Sequence, residues 1–147
     1  MTAEHAPFHS CSCLTKVRVF YGDTDQMGVA YYANYLRWFE MARNEYLREI
    51  GYPYARLEEK GIVLPVVEVG ASYRKPARYD DELTLEAWIS SKTKVRVRFN
   101  YRIWKPECSK AITEGFTVHA SLDRQGSPRR LPADLLDALA LPDRDKT

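Results

Sequence analysis

Two aspartates, Asp23 and Asp25, stand one residue apart in a polar stretch bounded by glycines. Paired acids serve calcium binding, phosphoryl transfer from an aspartate nucleophile, and acid–base or nucleophilic attack on a carbonyl. A calcium loop starting at Asp23 would need an oxygen ligand fifth and a glutamate twelfth, where the sequence has Met27 and Asn34. A phosphotransferase would need a parallel sheet of βαβ units, which the sequence does not predict. For Asp23 we favour the ordinary role of a loop aspartate, hydrogen bonding to nearby backbone.

Asp25 differs because an apolar and aromatic segment, residues 27–35, leads from it into a predicted helix. The first turn of a helix presents backbone N–H groups without intrahelical acceptors, at the positive end of the helix dipole. Such donors beside an apolar wall suit a carbonyl oxygen that becomes an oxyanion, and a nearby carboxylate could attack that carbonyl or activate water. These residue types indicate acyl chemistry at the helix entry.

The rest of the chain predicts the elements that position this loop. Apolar residues at steps of three and four predict one long amphipathic helix over residues 32–50, ended by Gly51 and Pro53. A strand at residues 16–19 precedes the loop, and segments rich in Val, Ile, Thr and aromatic residues follow the helix. Short turns between these segments predict an antiparallel sheet with the helix on one face, an α+β fold. These strands are predicted at residues 62–73, 82–90, 94–104 and 112–123, and short helices at 53–60 and 132–139.

Two motifs resemble the signature of a known family. The run YGDTDQMGVAYYANYLRWFE at residues 21–40 is similar to that of hotdog-fold acyl-CoA thioesterases, and PARYDD at residues 76–81 resembles that family's turn between the second and third strands. Within the family, the resemblance is to the branch of 4-hydroxybenzoyl-CoA thioesterase and the Tol–Pal-associated acyl-CoA thioesterases, and it covers residues 15–139. It implies a curled antiparallel sheet wrapped around the central helix. It also implies a homodimer or homotetramer with active sites between subunits.

The resemblance assigns roles to individual residues. It implies that Asp25 is the nucleophile or general base toward a thioester carbonyl, whose oxygen binds the backbone N–H of Tyr32. Many relatives in the Tol–Pal branch carry histidine at this position, so any side-chain role of that histidine is absent here. The other substrate-binding candidates are Met27, Gly28, Tyr31 and Asn34. No metal or cofactor is expected, because coenzyme A belongs to the substrate and product.

A basic segment follows the third predicted strand. Its cations alternate with apolar residues, which on a strand places them on one face: Lys92, Lys94, Arg96, Arg98 and Arg102. One interpretation is a solvated outer face. The functional interpretation is a site for the coenzyme A phosphates at Lys92, Lys94 and Arg96, joined by Arg129 and Arg130. Nucleic acid is not favoured, because no exposed aromatics interleave with the cations and the net charge is only +2.

Length and composition set the remaining expectations. The 147 residues predict one domain at 15–140, with a flexible leader at 1–14 and a polar tail at 141–147. Neither a secretory signal nor an apolar run long enough to span a membrane is present, which predicts a cytoplasmic protein. The leader carries His5, His9, Cys11 and Cys13, whose spacing does not match a structural zinc site. His119, among apolar strand residues, is interpreted as a structural histidine.

Three hypotheses about function follow. The leading one is an acyl-CoA thioesterase that hydrolyses an acyl or aroyl thioester to the free acid and coenzyme A. The second is a non-catalytic module that binds acyl-CoA as a sensor or partner protein. The third is a structural oligomer in which the Asp-x-Asp pair only shapes a turn.

Overall fold

The computed structural model describes residues 8–141. One antiparallel sheet has the strand order β1-β3-β4-β5-β2, and the long helix α1 packs across one face of it. The strands are β1 (Cys13–Arg18), β2 (Val66–Tyr73), β3 (Glu82–Lys92), β4 (Arg96–Trp104) and β5 (Thr113–Ala120). The helices are α1 (Asn34–Glu49), α2 (Tyr54–Glu59) and α3 (Ala133–Ala138). The predicted α+β fold, a curled sheet around one long helix, is confirmed. In the described part of the chain, no helix has both the length and the apolar character needed to cross a membrane.

Helix α1 forms because its apolar residues recur on one face. The buried positions are Tyr35, Trp38, Phe39, Ala42, Tyr46 and Leu47, at steps of one, three and four. Sixteen residues give a helix about 24 Å long. Gly51, with a φ of 83°, ends the segment in the left-handed region that glycine favours.

Gly115 on β5 sets how closely α1 approaches the sheet. A Cβ atom at this position would lie 2.5 Å from the Phe39 ring and 2.7 Å from the Gly70 carbonyl oxygen. Without that atom, Phe39 sits against the strand and stacks on Tyr101 of β4, with ring centroids 4.5 Å apart. The missing side chain therefore allows the helix–sheet contact at the centre of the core.

The other face of the sheet holds a buried acid. Glu86 on β3 is fully buried, and its carboxylate accepts hydrogen bonds from Arg102 Nε at 2.9 Å and Trp104 Nε1 at 3.0 Å. The His9 backbone N–H also donates to this carboxylate, and the His9 ring stacks on Trp88. The segment before β1 therefore covers Glu86.

The predicted leader differs from the structure over residues 8–14. Strand β1 begins at Cys13, and the residues before it contact the sheet rather than forming a separate tail. The Cys13 thiol donates to Glu49 Oε2 at 2.6 Å, and burial together with this carboxylate raises the pKa of Cys13 to about 12. Cys13 is therefore a protonated packing residue at neutral pH. His5 and the predicted tail from residue 142 onward lie outside the described residues.

Candidate active site

A tight loop places Asp25 beside the start of α1. Thr24 and Ala30 form an antiparallel bridge at its base, and the Asp25 N–H donates to the Val29 carbonyl at 2.9 Å. The Gly28 N–H donates back to the Asp25 carbonyl at 3.0 Å, and the φ of Gly28 is 80°. A glycine is needed there because other residues rarely adopt this backbone conformation.

The Asp25 carboxylate keeps one oxygen available. Oδ1 accepts the Met27 N–H at 2.8 Å, and the second oxygen accepts no hydrogen bond from residues 8–141. The residue is half-buried. The phenol of Tyr31 lies close by: the adjoining Tyr32 phenol raises the pKa of Tyr31, and the Asp25 carboxylate adds a smaller effect in the same direction. Asp25 can therefore act on a molecule that enters from solvent.

Backbone donors stand free at the start of α1. The Asn34 N–H donates to the Tyr31 carbonyl at 2.9 Å, and the Tyr35 N–H donates to the Tyr32 carbonyl at 3.3 Å. The N–H groups of Tyr32 and Ala33 have no acceptor within the described part of the chain, and no side chain caps the helix at Ala33. These two groups can bind a carbonyl oxygen that gains negative charge.

A cavity of about 240 Å³ opens beside these donors. Tyr32, Tyr35 and Tyr73 contribute aromatic walls, and Arg74 and Lys75 lie at its polar side. The Tyr73 hydroxyl donates to the Tyr32 carbonyl at 3.1 Å, which fixes the wall against the helix entry. Burial raises the pKa of both Tyr35 and Tyr73, so both phenols are neutral at physiological pH. A carboxylate, unpaired N–H groups and an apolar cavity are the components that acyl transfer requires.

The second motif, PARYDD, forms backbone hydrogen bonds with the Asp25 loop. It forms the connection between β2 and β3, as predicted from residues 76–81. The Ala30 N–H donates to the Ala77 carbonyl at 2.8 Å, and Val29 forms an antiparallel bridge with Arg78. The Ala77 N–H in turn donates to the Tyr35 hydroxyl at 3.0 Å. The two sequence motifs are therefore one structural unit.

The predicted substrate-binding residues divide into two groups. Met27, Gly28 and Tyr31 are exposed on the loop and stay candidates for substrate contact. Asn34 differs, because its side-chain amide donates to the Asp23 carbonyl at 2.8 Å. Its role in the structure is to tie the loop to the helix.

In the structure, the cations of the basic segment have different partners and lie in different places. Lys92 Nζ donates to the carbonyls of Leu136 and Leu139 at 2.6 and 2.7 Å, so this lysine caps the end of α3. The assignment of Lys92 to the coenzyme A phosphates is therefore corrected. Arg98 lies over the Phe116 ring at 4.0 Å, and Arg102 pairs with Glu86 on the sheet, as described above.

The other four predicted phosphate-binding residues are exposed at the far end of the sheet: Lys94, Arg96, Arg129 and Arg130. The Leu131 N–H donates to the Lys94 carbonyl at 2.8 Å. This bond brings Arg129 and Arg130 close to Lys94 and Arg96. The Asp25 loop lies near the Glu82 end of β3, and this cluster follows its Lys92 end. Eleven strand residues separate the two ends by roughly 30 Å. Within one chain, Asp25 and the cluster are therefore far apart.

A second cavity, of about 410 Å³, lies toward the other end of α1. His119 lies at its wall, almost fully buried, and its ring bonds the Leu64 carbonyl at 2.9 Å and the Thr117 hydroxyl at 2.8 Å. Burial lowers the pKa of His119 to about 4. The interpretation of His119 as a structural histidine agrees with these bonds.

Sequence reasoning missed the cavity wall at the end of β2. Tyr73, Arg74 and Lys75 line the cavity beside Tyr32, and they directly precede the PARYDD motif. Their position next to this motif was the one feature of the sequence that could have indicated their role. No group of three or more His, Cys, Asp or Glu residues able to hold a metal occurs among residues 8–141.

Comparison with known proteins assigns the family. The thioesterase-like superfamily matches residues 19–139, which include both motifs and every strand after the first. The chain belongs to the thioesterase-like superfamily.

Individual relatives carry related descriptions. The acyl-CoA thioester hydrolase YbgC of Escherichia coli O157:H7 is 32% identical over 82% of this chain and 90% of its own length. The crystal structure of DHNA-CoA thioesterase from Staphylococcus aureus has a TM-score of 0.83 and 30% identity, covering 87% of this chain and 88% of that one. An Asp-to-Asn mutant of 4-hydroxybenzoyl CoA thioesterase complexed with 4-hydroxybenzoyl CoA has a TM-score of 0.80 and 25% identity, covering 88% and 99%. These superfamily relatives share the hotdog architecture of this chain.

Proposed function

We propose that this protein is an acyl-CoA thioesterase in which Asp25 acts on the thioester and the Tyr32 N–H binds its carbonyl oxygen. The observation that carries the proposal is that, among residues 8–141, one Asp25 oxygen and two N–H groups at the entry to α1 have no hydrogen-bond partner. The descriptions of superfamily relatives as acyl-CoA thioester hydrolases support the same activity.

The reaction can follow either of two balanced routes. In one, the Asp25 carboxylate attacks the carbonyl carbon, the C–S bond breaks, and coenzyme A leaves as a thiolate. Water then hydrolyses the resulting mixed anhydride to the free acid. In the other, Asp25 takes a proton from water as water attacks the carbonyl, and that proton goes to the leaving thiolate. In both routes the negative carbonyl oxygen is stabilised by the Tyr32 and Ala33 N–H groups.

The proposed assembly is a pair of chains joined through β2. This strand lies at a sheet edge, and three of its valines expose about half of their surface: Val66, Val67 and Val69. A long apolar edge strand is a template for pairing with another chain. A second copy paired there about a two-fold axis would place the Tyr73 end of one β2 beside the Val66 end of the other.

Such pairing would bring the basic cluster to the substrate. The Val66 end lies near Arg96, because Arg96 pairs with Ala120, whose N–H donates to the Pro65 carbonyl. The Tyr73 end lies at the cavity beside Tyr32. We therefore propose that the cluster of one chain binds the phosphates of a coenzyme A whose thioester lies at Asp25 of the other.

Thiol release from a panel of acyl-CoAs tests the activity. Short aliphatic, long aliphatic and aroyl thioesters are incubated with the protein, and free coenzyme A is measured with a thiol reagent. Release from at least one class is expected. Binding of acyl-CoA without any release would contradict the enzymatic proposal and favour the non-catalytic module.

Sedimentation of the wild type and of Val69→Lys tests the assembly. The variant places a charge on the β2 edge and is expected to move the mass toward that of a 17.0 kDa monomer. Leu14→Lys is the matched control, because Leu14 is similarly exposed but lies on β1 at the opposite edge. A wild type that sediments as a monomer would contradict the proposed pairing.

A further inference from the structure

Asp23, two residues before Asp25, lies where the loop meets α1. Its side chain is buried within the protein and makes two hydrogen bonds. Oδ2 accepts the Phe20 N–H at 2.8 Å, and Oδ1 accepts Arg37 Nη2 at 2.6 Å. Because both oxygens are engaged, Asp23 is not a second acid for the reaction.

The backbone carbonyl of Asp23 binds the other side of the junction. It accepts the Tyr31 N–H and the Asn34 side-chain amide, both at 2.8 Å. Tyr31 directly precedes Tyr32, and Asn34 is the first residue of α1. Asp23 therefore joins the segment that carries the Asp25 carboxylate to the segment that carries the Tyr32 N–H.

These contacts take the place of a helix cap. An ordinary capping side chain would accept the first free N–H groups of the helix. Here the residue before α1 is Ala33, and the helix is anchored through Asn34 and Arg37, which both donate to Asp23. The anchor stabilises the helix entry while leaving the Tyr32 N–H available to a carbonyl oxygen.

We propose that Asp23 and Arg37 are positioning residues that hold the Asp25 carboxylate and the Tyr32 N–H in the geometry the reaction needs. The proposal rests on the thioesterase function proposed above. A displacement of about 1 Å between reacting groups can lower a rate about 100-fold. Loss of the Asp23–Arg37 pair is therefore expected to lower kcat while leaving KM nearly unchanged.

Two substitutions of Arg37 test the kinetic part. Arg37→Met removes the donor to Asp23 and is expected to lower kcat at least about tenfold. Arg37→Lys keeps a cation beside Asp23 and is expected to recover most of that loss. Arg56→Met is the control, because Arg56 is about as exposed as Arg37 and pairs with Asp134 beyond the other end of α1. Arg56→Met is expected to leave kcat unchanged, and thermal unfolding of both variants shows whether a loss of folded protein accounts for any fall in kcat of Arg37→Met.

A second substitution shows whether Arg37 acts through Asp25. In the Asp25→Asn background, Arg37→Met is expected to have little further effect on the residual rate, because groups that act as a unit are not additive. An equal fold-loss in both backgrounds would overturn the proposal.

Hydrogen exchange at the Tyr31 amide measures how firmly the loop is held to α1, and it does not depend on enzymatic activity. This amide donates to Asp23, so Arg37→Met is expected to speed its exchange. Faster exchange with an unchanged kcat would overturn the positioning role. If the wild type hydrolyses no thioester, the proposed function fails. In that case, unchanged exchange at Tyr31 would separately show that the pair does not hold the loop.

Discussion

The stability of this fold should fall in mild acid because of one buried histidine. The Leu64 carbonyl can only accept, so His119 Nδ1 carries its hydrogen and Nε2 accepts the Thr117 hydroxyl. Thr117 in turn accepts the Tyr101 hydroxyl, which accepts Arg43 Nη1 at 3.1 Å. Protonation of His119 would turn Nε2 from an acceptor into a donor, so these hydrogen bonds would have to rearrange.

The magnitude follows from the pKa of His119, which is lowered to about 4 in the folded protein, chiefly by burial, from an ordinary value of 6.5. Between these values the unfolded chain binds a proton that the folded chain does not, so stability rises with pH. Each pH unit of difference is worth about 1.4 kcal/mol. The His119 contribution is therefore fully present above pH 6.5, and about 2 kcal/mol of it is lost by pH 5.

Urea unfolding between pH 5 and pH 7.5, followed by tryptophan fluorescence, measures this loss. His119→Gln cannot titrate, so its free energy of unfolding should be lower at pH 7.5 but should change less with pH. The difference in pH dependence between the two proteins isolates His119, because every other titratable group is present in both. Equal pH dependence in wild type and His119→Gln would refute the reasoning.

Two further predictions concern packing and charge. Gly115→Ala should cost about 1–3 kcal/mol of stability, because the new Cβ would meet the Phe39 ring. Gly22→Ala, whose new Cβ would meet no heavy atom of residues 8–141 within 4 Å, should cost less, and thermal unfolding of the two variants measures the difference. Arg102→Met should cost about 3–5 kcal/mol in urea unfolding, because the Glu86 charge stays buried without its cation. Adding Glu86→Gln should recover part of that loss, and a further loss would contradict the account.

The helix and the succession of strands along the chain could be predicted from sequence, because local periodicity determines both. The predicted helix of residues 32–50 is longer than α1 by two residues at its start and one at its end. At its start, Tyr32 and Ala33 form a turn before the regular hydrogen bonds begin. The Asp25 loop was recognised through its resemblance to a family. Composition alone would have left it among several alternatives.

The residue roles that were not predicted from the sequence depend on contacts between distant segments. The alternation of cations predicted one strand face, but the Thr93 hydroxyl accepts the Val95 and Arg96 N–H groups and forms a turn before β4. The β-bulge between Ile89 and Ser91 pairs Lys92 with the buried Val97, so Lys92 leaves the strand face that carries Arg96 and Arg98. Its ammonium reaches the end of α3, forty-four residues away in sequence at Leu136. The role of Asn34 was missed for a similar reason, because its amide turns back to the Asp23 carbonyl.

The central claim is that the Asp25 carboxylate carries out the reaction, and Asp25→Asn tests it most directly. Asparagine keeps an oxygen for the Met27 N–H, so the loop should be retained. Thiol release from the best acyl-CoA should fall about 100-fold to 10,000-fold, the range for loss of a general base. Calorimetry should show that acyl-CoA binding persists. Near-normal turnover by Asp25→Asn, with the substrate bound as in the wild type, would contradict the account.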